Sequence, residues 1–412
     1  VVAAESVERI GGNGDSPTLL RLAEGFAVAP PVLALGGQLK ASFCLLRDGQ
    51  AALSQQFGDL VDASCHANYR RAIESESQRY AFSARRLVVD RHPEYLSRKL
   101  GLAMAQAQGL AVDEVQHHHA HLAACLAENG VAADCAPVLG VVLDGLGYGD
   151  DGMLWGGEFL LADYRQCCRL ASFKPVALLG GAQAIAEPWR NTYAQLIAAM
   201  GWARFSADFD TLELHAFLAG KPRELLDAML AKRVNSPLAS SCGRLFDAVA
   251  AATGVCRERV NYQGQAAIEF AARVDARALA EGDEKAYPFA IARPEGGLPL
   301  LDPSPLWPAL LRDLVTETPV ALIAARFHQG LAIVIARLIN ALYRDQRGVG
   351  TAKTVALSGG VLQNRVLREQ LSMRLERDGF SLLTHRQVPA NDGGLALGQA
   401  AIAAARALAD ST

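Results

Sequence analysis

The sequence predicts an α/β protein of two lobes, each opening with a strand-hairpin unit that feeds helices, closed around a cleft suited to a nucleotide. Two segments, PVLALGGQLKASFCLLRDGQAALSQQ from Pro31 and PVLGVVLDGLGYGDDGMLWGGEFLLADY from Pro137, share a strand–turn–strand pattern. A third apolar strand, TVALSGG, runs into a helical segment through a Gly pair. Gly turns at strand ends suit phosphate because bare backbone N–H groups can approach it closely. The 412 residues fit two or three domains, or one fold of two large lobes.

In chain order, residues 1–30 carry GGNGDSP and AVAPP and suit a linker or the end of a preceding domain. Residues 31–135 form the first lobe, a β-meander with turns at Gly36-Gly37 and Asp48-Gly49. Helices follow over 69–128, interrupted by the strand-like run ARRLVVD. Residues 136–412 form the second lobe, with a helical insertion over about 182–280. After it, ARPEGGLPLLDPSPLWP reads as a surface excursion.

Apolar residues make up 51% and charged residues 20%, a globular composition able to bury a large core. Forty Lys and Arg against 43 Asp and Glu give a net charge of −3, so no overall basic field favours nucleic acid or anionic lipid. The eight cysteines are scattered without a C-x-x-C pair and read as reduced core thiols. The first residues lack the pattern of a secretory signal, and no uninterrupted apolar run approaches the ~18 residues of a membrane span. The expected location is the cytoplasm, with no membrane partner.

The sharpest local signal is VQHHHAHLAACLAENG. On a helix, His117 and His121 stack on one face where both imidazoles can hold one metal ion, while His118 and His119 point elsewhere. The same pattern also suits a polar helix end or satisfied core histidines. Asp144 ends a buried-looking strand, which in α/β folds points a carboxylate into the ligand crevice. Asp392, in NDGGLALGQAA, is a second carboxylate candidate or a plain helix cap. Two histidines with one or two carboxylates suit iron, zinc or another divalent ion acting as Lewis acid. In LSGGVLQNRVL, Gly359 and Gly360 turn a strand into a helix whose first turn holds Gln363 and Asn364, amides able to read a nucleotide. SSCGRLFDAVAAATG and NYQGQAAIEFAA add Gly turns at helix starts with Arg244, Asp247 and Glu269 near them, and by period alone Asp247 and Glu269 equally suit solvated faces. No Walker A lysine motif occurs, and no G-x-G-x-x-G opens a helix after a strand.

Ten ordered blocks, GGQLKASFCL, GDL, HPEYLS, VQHHHAHLAA, LDGLGYGDDGMLWGGEF, EPWRNTYAQL, SSCGRLFDAVAA, FHQGLA, LSGGVLQNRVL and NDGGLALGQAA, resemble the C-terminal carbamoyltransferase region of hydrogenase maturation protein HypF, from about Pro31 to Ala405. The resemblance implies the actin and Hsp70-like ATPase fold, in the branch of the universal tRNA threonylcarbamoyl-transferase family. It also implies a metal set of His117, His121, Asp144 and Asp392, and a nucleotide pocket lined by Lys40, Arg244, Asp247, Gly359, Gly360 and Asn364. Implied ligands are a divalent ion (iron or zinc), carbamoyl-adenylate or ATP/AMP, and Mg2+ as a further ion. The implied reaction moves a carbamoyl group from carbamoyl-adenylate, made by a YrdC-like domain of which residues 1–30 would hold a remnant, to the C-terminal cysteine thiol of the partner HypE. His118 or His119 would take the thiol proton. Rival readings are an O-carbamoyltransferase acting on a small hydroxylated molecule and a non-catalytic nucleotide-holding scaffold that docks HypE. Where the family usually has acidic residues, this chain has Ala182 and Gln263.

Overall fold

The computed structural model describes residues 17–280, 282–345 and 353–410. Its first sheet contains β1 (Thr18–Arg21), β2 (Val32–Ala34), β3 (Cys44–Arg47), β4 (Gln50–Leu53), β5 (Arg86–Asp90) and β6 (Ala111–Val115) in the order β1-β4-β3-β2-β5-β6. β2, β3 and β4 form an antiparallel meander, and β5 and β6 add parallel to the free edge of β2. The turn at Asp48-Gly49 joins β3 to β4 with both residues at positive φ. Residues 18–21, expected within a linker, instead pair antiparallel with β4, and Phe26 just after them is fully buried. The GGNGDSP stretch lies almost wholly outside the described residues.

The second sheet holds β7 (Val138–Tyr148), β8 (Leu154–Ala162), β9 (Cys167–Phe173), β12 (Ala290–Ala292), β13 (Leu300–Asp302), β14 (Thr354–Ser358) and β15 (Ser381–Thr384), in the order β12-β13-β9-β8-β7-β14-β15. Short β10 (Val176–Ala177) and β11 (Leu238–Ala239) pair with one another, and β11 also pairs with β8. β7, β8 and β9 form a second antiparallel meander, and β14 and β15 add parallel to β7. Both sheets therefore repeat one strand order, the duplicated layout of the actin and Hsp70-like ATPase fold. The Pro-rich segment expected as a surface excursion contributes β13, which pairs with β9 and with the β12 that leads into the segment, because Leu301, Leu306 and Trp307 are all fully buried.

Helices α1 (Ala63–Arg79) and α2 (Leu96–Gln108) flank β5, and α3 (His117–Glu128) follows β6. Between the second meander and β12 run α4 (Ala182–Ala186), α5 (Trp189–Ala199), α6 (Gly201–Phe209), α7 (Glu213–Ala219), α8 (Arg223–Lys232), α9 (Cys242–Ala252), α10 (Gln265–Ala271) and α11 (Ala276–Ala280). Then come α12 (Leu306–Val315), α13 (Val320–Asp345), α14 (Arg365–Arg377) and α15 (Leu395–Asp410). By length and composition α13 could cross a membrane, but 78% of its most apolar stretch is buried inside the protein, as in a core helix.

The two lobes exchange their last helices. α3 leaves the first sheet and packs on β7, β8 and β14 of the second, whereas α15 returns to pack on β2, β3 and β5 of the first. The two helices also pack on each other, so one continuous core runs from Val32 and Ala34 through Leu122 and Ala401 to Val142 and Leu160. Close approach is possible because α15 has glycine at 398, where a Cβ would stand 1.8 Å from the Ala120 carbonyl oxygen. Burying apolar surface on both sides of each helix is what fixes the position of His117 and His121 relative to the strands.

Candidate metal centre and adjoining cavity

α3 starts at His117 because Gln116 caps it, its side-chain oxygen accepting from the His119 N–H at 2.9 Å. Every residue of α3 from His117 to Ala127 is buried. Asp144 lies on β7 beside an irregularity between Leu143 and Gly147 that bends the strand. Asn391, not Asp392, caps the turn that leads into α15, its Oδ1 accepting from the Gly393 N–H at 2.9 Å. The Asp392 carboxylate is thereby left for other partners.

His117, His121, Asp144 and Asp392 each offer a ligand atom, and these atoms lie within 4.8 Å of one another. Nε2 of His117 stands 3.5 Å from Asp144 and 3.8 Å from Asp392, and Nε2 of His121 stands 3.5 Å from each carboxylate. These separations exceed a hydrogen bond, and both buried Nε2 atoms lack a hydrogen-bond partner. Ligand atoms about 2.1 Å from one ion stand about 3–4 Å apart, so the set fits a single divalent cation. The chemistry agrees: two imidazoles and two carboxylates suit iron or zinc.

The electrostatics point the same way. Burial alone would push His117 down, but Asp90, Asp144 and Asp392 outweigh it and hold the imidazole well above its usual range. His121 is likewise raised, burial being overcome by Asp144 and Asp392. Burial would raise Asp144, yet the two histidines hold it well below the usual carboxylate range.

Asp90 completes the set from behind. Its Oδ2 takes the Nδ1–H of His117 at 2.8 Å and its Oδ1 takes the His92 N–H at 2.8 Å, which directs the His117 Nε2 lone pair at the cluster. Sequence reasoning missed Asp90, although it ends the buried strand β5; Asp144, expected at a strand end, instead lies within β7, which runs on to Tyr148 after the irregularity. The backbone N–H of Gly360 donates to Asp144 Oδ1 at 3.1 Å, turning Oδ2 toward the imidazoles.

The base roles expected of His118 and His119 do not fit their hydrogen bonds. With its Oε1 committed to the His119 N–H, Gln116 presents its NH2 to His118 Nδ1 at 3.3 Å. Burial holds His118 well below its usual range, so the ring is neutral and its one proton sits on Nε2, which is then no acceptor. His119 is held at about 4 by burial, and its Nε2 donates to the Asp163 carbonyl at 2.7 Å, away from the cluster.

A cavity of about 400 Å³ opens from the cluster, with Asp144 in its wall. Lys40, Arg244, Asp247, Gly360 and Asn364 line it, together with Gln263 and an apolar face of Phe246, Ala267 and Ile268. Arg244 and Asp247 are buried and paired at 2.8 Å, which settles them as cavity residues rather than a solvated face. Burial raises the Asp247 carboxyl, with Arg244 opposing. Gly359 sits behind the wall at φ +98, where a side chain would strike the Leu143 carbonyl. Glu269 accepts from Gln265 at 2.8 Å and takes no part in the wall. Lys40 Nζ donates to Gln263 Oε1 at 3.0 Å, so the amide keeps the link across the mouth without an acid's charge. Ala182 opens α4 outside the cavity wall. Residues 360–363 form a 3-10 turn, and Asn364 caps α14 instead of lying in its first turn.

Residues 27–128 match the family described as HypF Kae1-like domain, and residues 140–399 that described as Carbamoyltransferase, Kae1-like Domain, second subdomain. Carbamoyltransferase HypF of Rhodobacter capsulatus is 40% identical over 394 residues, covering 96% of this chain and 49% of that protein. A carbamoyltransferase HypF homolog of Cupriavidus necator is 34% identical over 377 residues, covering 91% of each. A crystal structure of full-length HypF in the phosphate- and nucleotide-bound form aligns with TM-score 0.81 at 31% identity, over 93% of this chain and 47% of the other. The chain thus spans about half the length of most of the relatives it matches.

Proposed function

The chain belongs to the HypF carbamoyltransferase family, and from that premise we propose that it transfers a carbamoyl group from carbamoyl-adenylate to the C-terminal cysteine thiol of HypE. The observation that carries this reading is the double placement of Asp144, which belongs both to the four-ligand cluster and to the wall of the cavity. A donor lying in the cavity with its base against Phe246 and Ile268 brings its acyl phosphate end to the cluster. We take residues 31–135 and 136–412 as the two lobes.

In the proposed reaction the thiolate sulfur bonds to the carbamoyl carbon, the carbon–oxygen bond to phosphate breaks, and AMP leaves with that electron pair. The thiol proton goes to water, since an ordinary cysteine with pKa near 8.5 is already a few per cent thiolate at neutral pH. Lys40 and Arg244 supply positive charge toward the phosphate, and the Gly360 N–H holds Asp144 in place. A divalent ion held by His117, His121, Asp144 and Asp392 would supply Lewis-acid stabilisation of the charge developing on the donor. His118, with its proton on Nε2, is a donor beside the cluster and not a base. The donor would come from a YrdC-like domain, and the reaction belongs in the cytoplasm, away from nucleic acid and membrane.

The test is mass spectrometry of HypE after incubation with this protein and pre-formed carbamoyl-adenylate. A carbamoyl mass on the terminal cysteine is expected, and its loss with His121→Ala. Transfer to an alcohol in place of HypE, or HypE binding without transfer, would replace the reading.

A further inference from the structure

α13 carries His328 in the FHQGLA block, fully buried and packed by the rings of Phe246, Phe270 and Phe327. None of the cluster ligands touches it, and it does not reach the cavity wall. Its two ring nitrogens are nevertheless both committed. Nδ1 lies 2.7 Å from the carbonyl oxygen of Ala324, and Nε2 lies 2.9 Å from Nδ2 of Asn364, a residue of the cavity wall.

The donors and acceptors fix one arrangement. A carbonyl oxygen only accepts, so Nδ1 must carry the hydrogen. Burial holds the imidazole at about 4, so it is neutral at working pH and has no second proton. Nε2 is therefore an acceptor, and only the NH2 side of the Asn364 carboxamide can face it. The other side of that carboxamide, Oδ1, accepts from the Leu367 N–H at 3.1 Å as the cap of α14. One hydrogen on Nδ2 remains. Such an amide is normally free to turn by half a circle, exchanging donor for acceptor, and this one cannot.

We propose that His328 is a positioning residue that locks the Asn364 carboxamide so that it offers an N–H donor to an acceptor atom of a nucleotide in the cavity. The role rests on the nucleotide reading of that cavity given above. The lock acts through hydrogen-bond polarity rather than packing, which separates it from a structural histidine. Phenylalanine in its place would still pack among three phenylalanines. Glutamine would restore a donor toward Ala324 and an acceptor toward Asn364.

The experiment is calorimetric titration of AMP into the whole chain and into His328→Phe, His328→Gln, Asn364→Ala and the Phe/Ala double variant, each checked by thermal melt. Asn364→Ala should weaken AMP binding about fivefold, the loss of one hydrogen bond. His328→Phe should weaken it by a similar factor, the double variant no further than either single one, and His328→Gln should recover part of the loss. If wild type binds AMP and His328→Phe binds it equally well, or if the two losses multiply, the lock is overturned while the cavity reading stands. If wild type binds no AMP, the cavity reading and the ligand role fall together. In that case the 15N spectrum of His328 judges the lock itself: a proton on Nε2 overturns it, and a bare Nε2 supports it.

Discussion

Replacing Gly398 by alanine tests the helix exchange on which the site depends. The added Cβ would stand 1.8 Å from the Ala120 carbonyl oxygen and 2.7 Å from the Ala124 nitrogen, both backbone atoms of α3. Carbon and oxygen approach to about 3.3 Å at closest, so α3 and α15 must part by roughly 1.5 Å. Overpacking of this kind costs up to about 3 kcal/mol, and the helix propensity of alanine over glycine returns about 1 kcal/mol, leaving a net loss of about 2 kcal/mol. Because α3 carries His117 and His121 and Asp392 lies just before α15, the same displacement exceeds the ±0.2 Å or so that a metal site tolerates. Urea unfolding should show the destabilisation, and competition titration of Zn2+ should show affinity lowered at least about tenfold. Gly109→Ala is the control: it meets nothing within 4 Å, and its φ of +65 costs about 1 kcal/mol without touching the site. A Gly398→Ala protein as stable as wild type, with unchanged Zn2+ affinity, would refute the reasoning.

Asp90→Asn removes the carboxylate behind His117 and should lower metal affinity about 10–100-fold with the circular dichroism spectrum unchanged; unchanged affinity would deny Asp90 an orienting role. The pH dependence has two opposing parts. His117 and His121, raised in the folded protein, contribute stability that is full below the unfolded pKa of about 6.5 and lost as pH rises through their folded values. His118, His119 and His328, held neutral by burial, contribute stability present above about 6.5 and lost as pH falls through their folded values. The two sets offset in the metal-free protein, so the informative quantity is the rise in melting temperature on adding Zn2+. That rise should grow from pH 5.5 to 8, since the cation must compete with protons for His117 and His121, whose affinity for protons is raised; a rise independent of pH would contradict that competition. Finally, Arg169→Leu strands Glu158, which is fully buried and pairs with Arg169 at 2.6 Å, and should cost about 3–5 kcal/mol by urea unfolding. A loss below about 1 kcal/mol would mean that Ser240 and the Gly156 and Gly157 N–H groups satisfy that carboxylate alone.

How much of this was legible in the sequence depended on whether a feature is local. The meanders could be read because turns such as Asp48-Gly49 are written in adjacent residues. β6 was missed because it is a half-exposed edge strand, AVDEV, whose central acids interrupt any apolar face. The strand β13 was hidden by prolines that signal a loop, although Leu306 and Trp307 soon after it are fully buried. The shared helix face of His117 and His121 could be read from their spacing, and Asp144 from the apolar run before it, although β7 continues past it to Tyr148. Asp90 obeyed the same rule but carried no glycine run to draw attention to it. The protonation of His118 depends on which end of Gln116 faces it, a matter of three-dimensional bonding that no spacing encodes. Nor could the sequence show that α3 is covered on all sides, since amphipathic periodicity disappears when a helix is buried between a sheet and another helix.

That burial explains why one site serves two lobes. α3 comes from the chain of the first lobe and lies on the second sheet, while the turn bearing Asp392 leads into a helix lying on the first. Asp144 belongs to the second sheet, and Gly37 of the first lobe approaches within 3.7 Å of the Asp392 carboxylate when a Cβ is placed on it. At the cavity mouth Lys40 of the first lobe reaches Gln263 of the second. A cation held by His117, His121, Asp144 and Asp392 would therefore draw on elements of both lobes, and a ligand in the cavity would do so again at its mouth. Each binds best to one relative setting of the lobes, and a ligand shifts an equilibrium only by its difference in affinity between settings. Where both favour the same setting, cation and nucleotide bind cooperatively, each tightening the other by the same factor, which AMP titration with and without Zn2+ reads directly; equal AMP affinity in the two would refute the coupling.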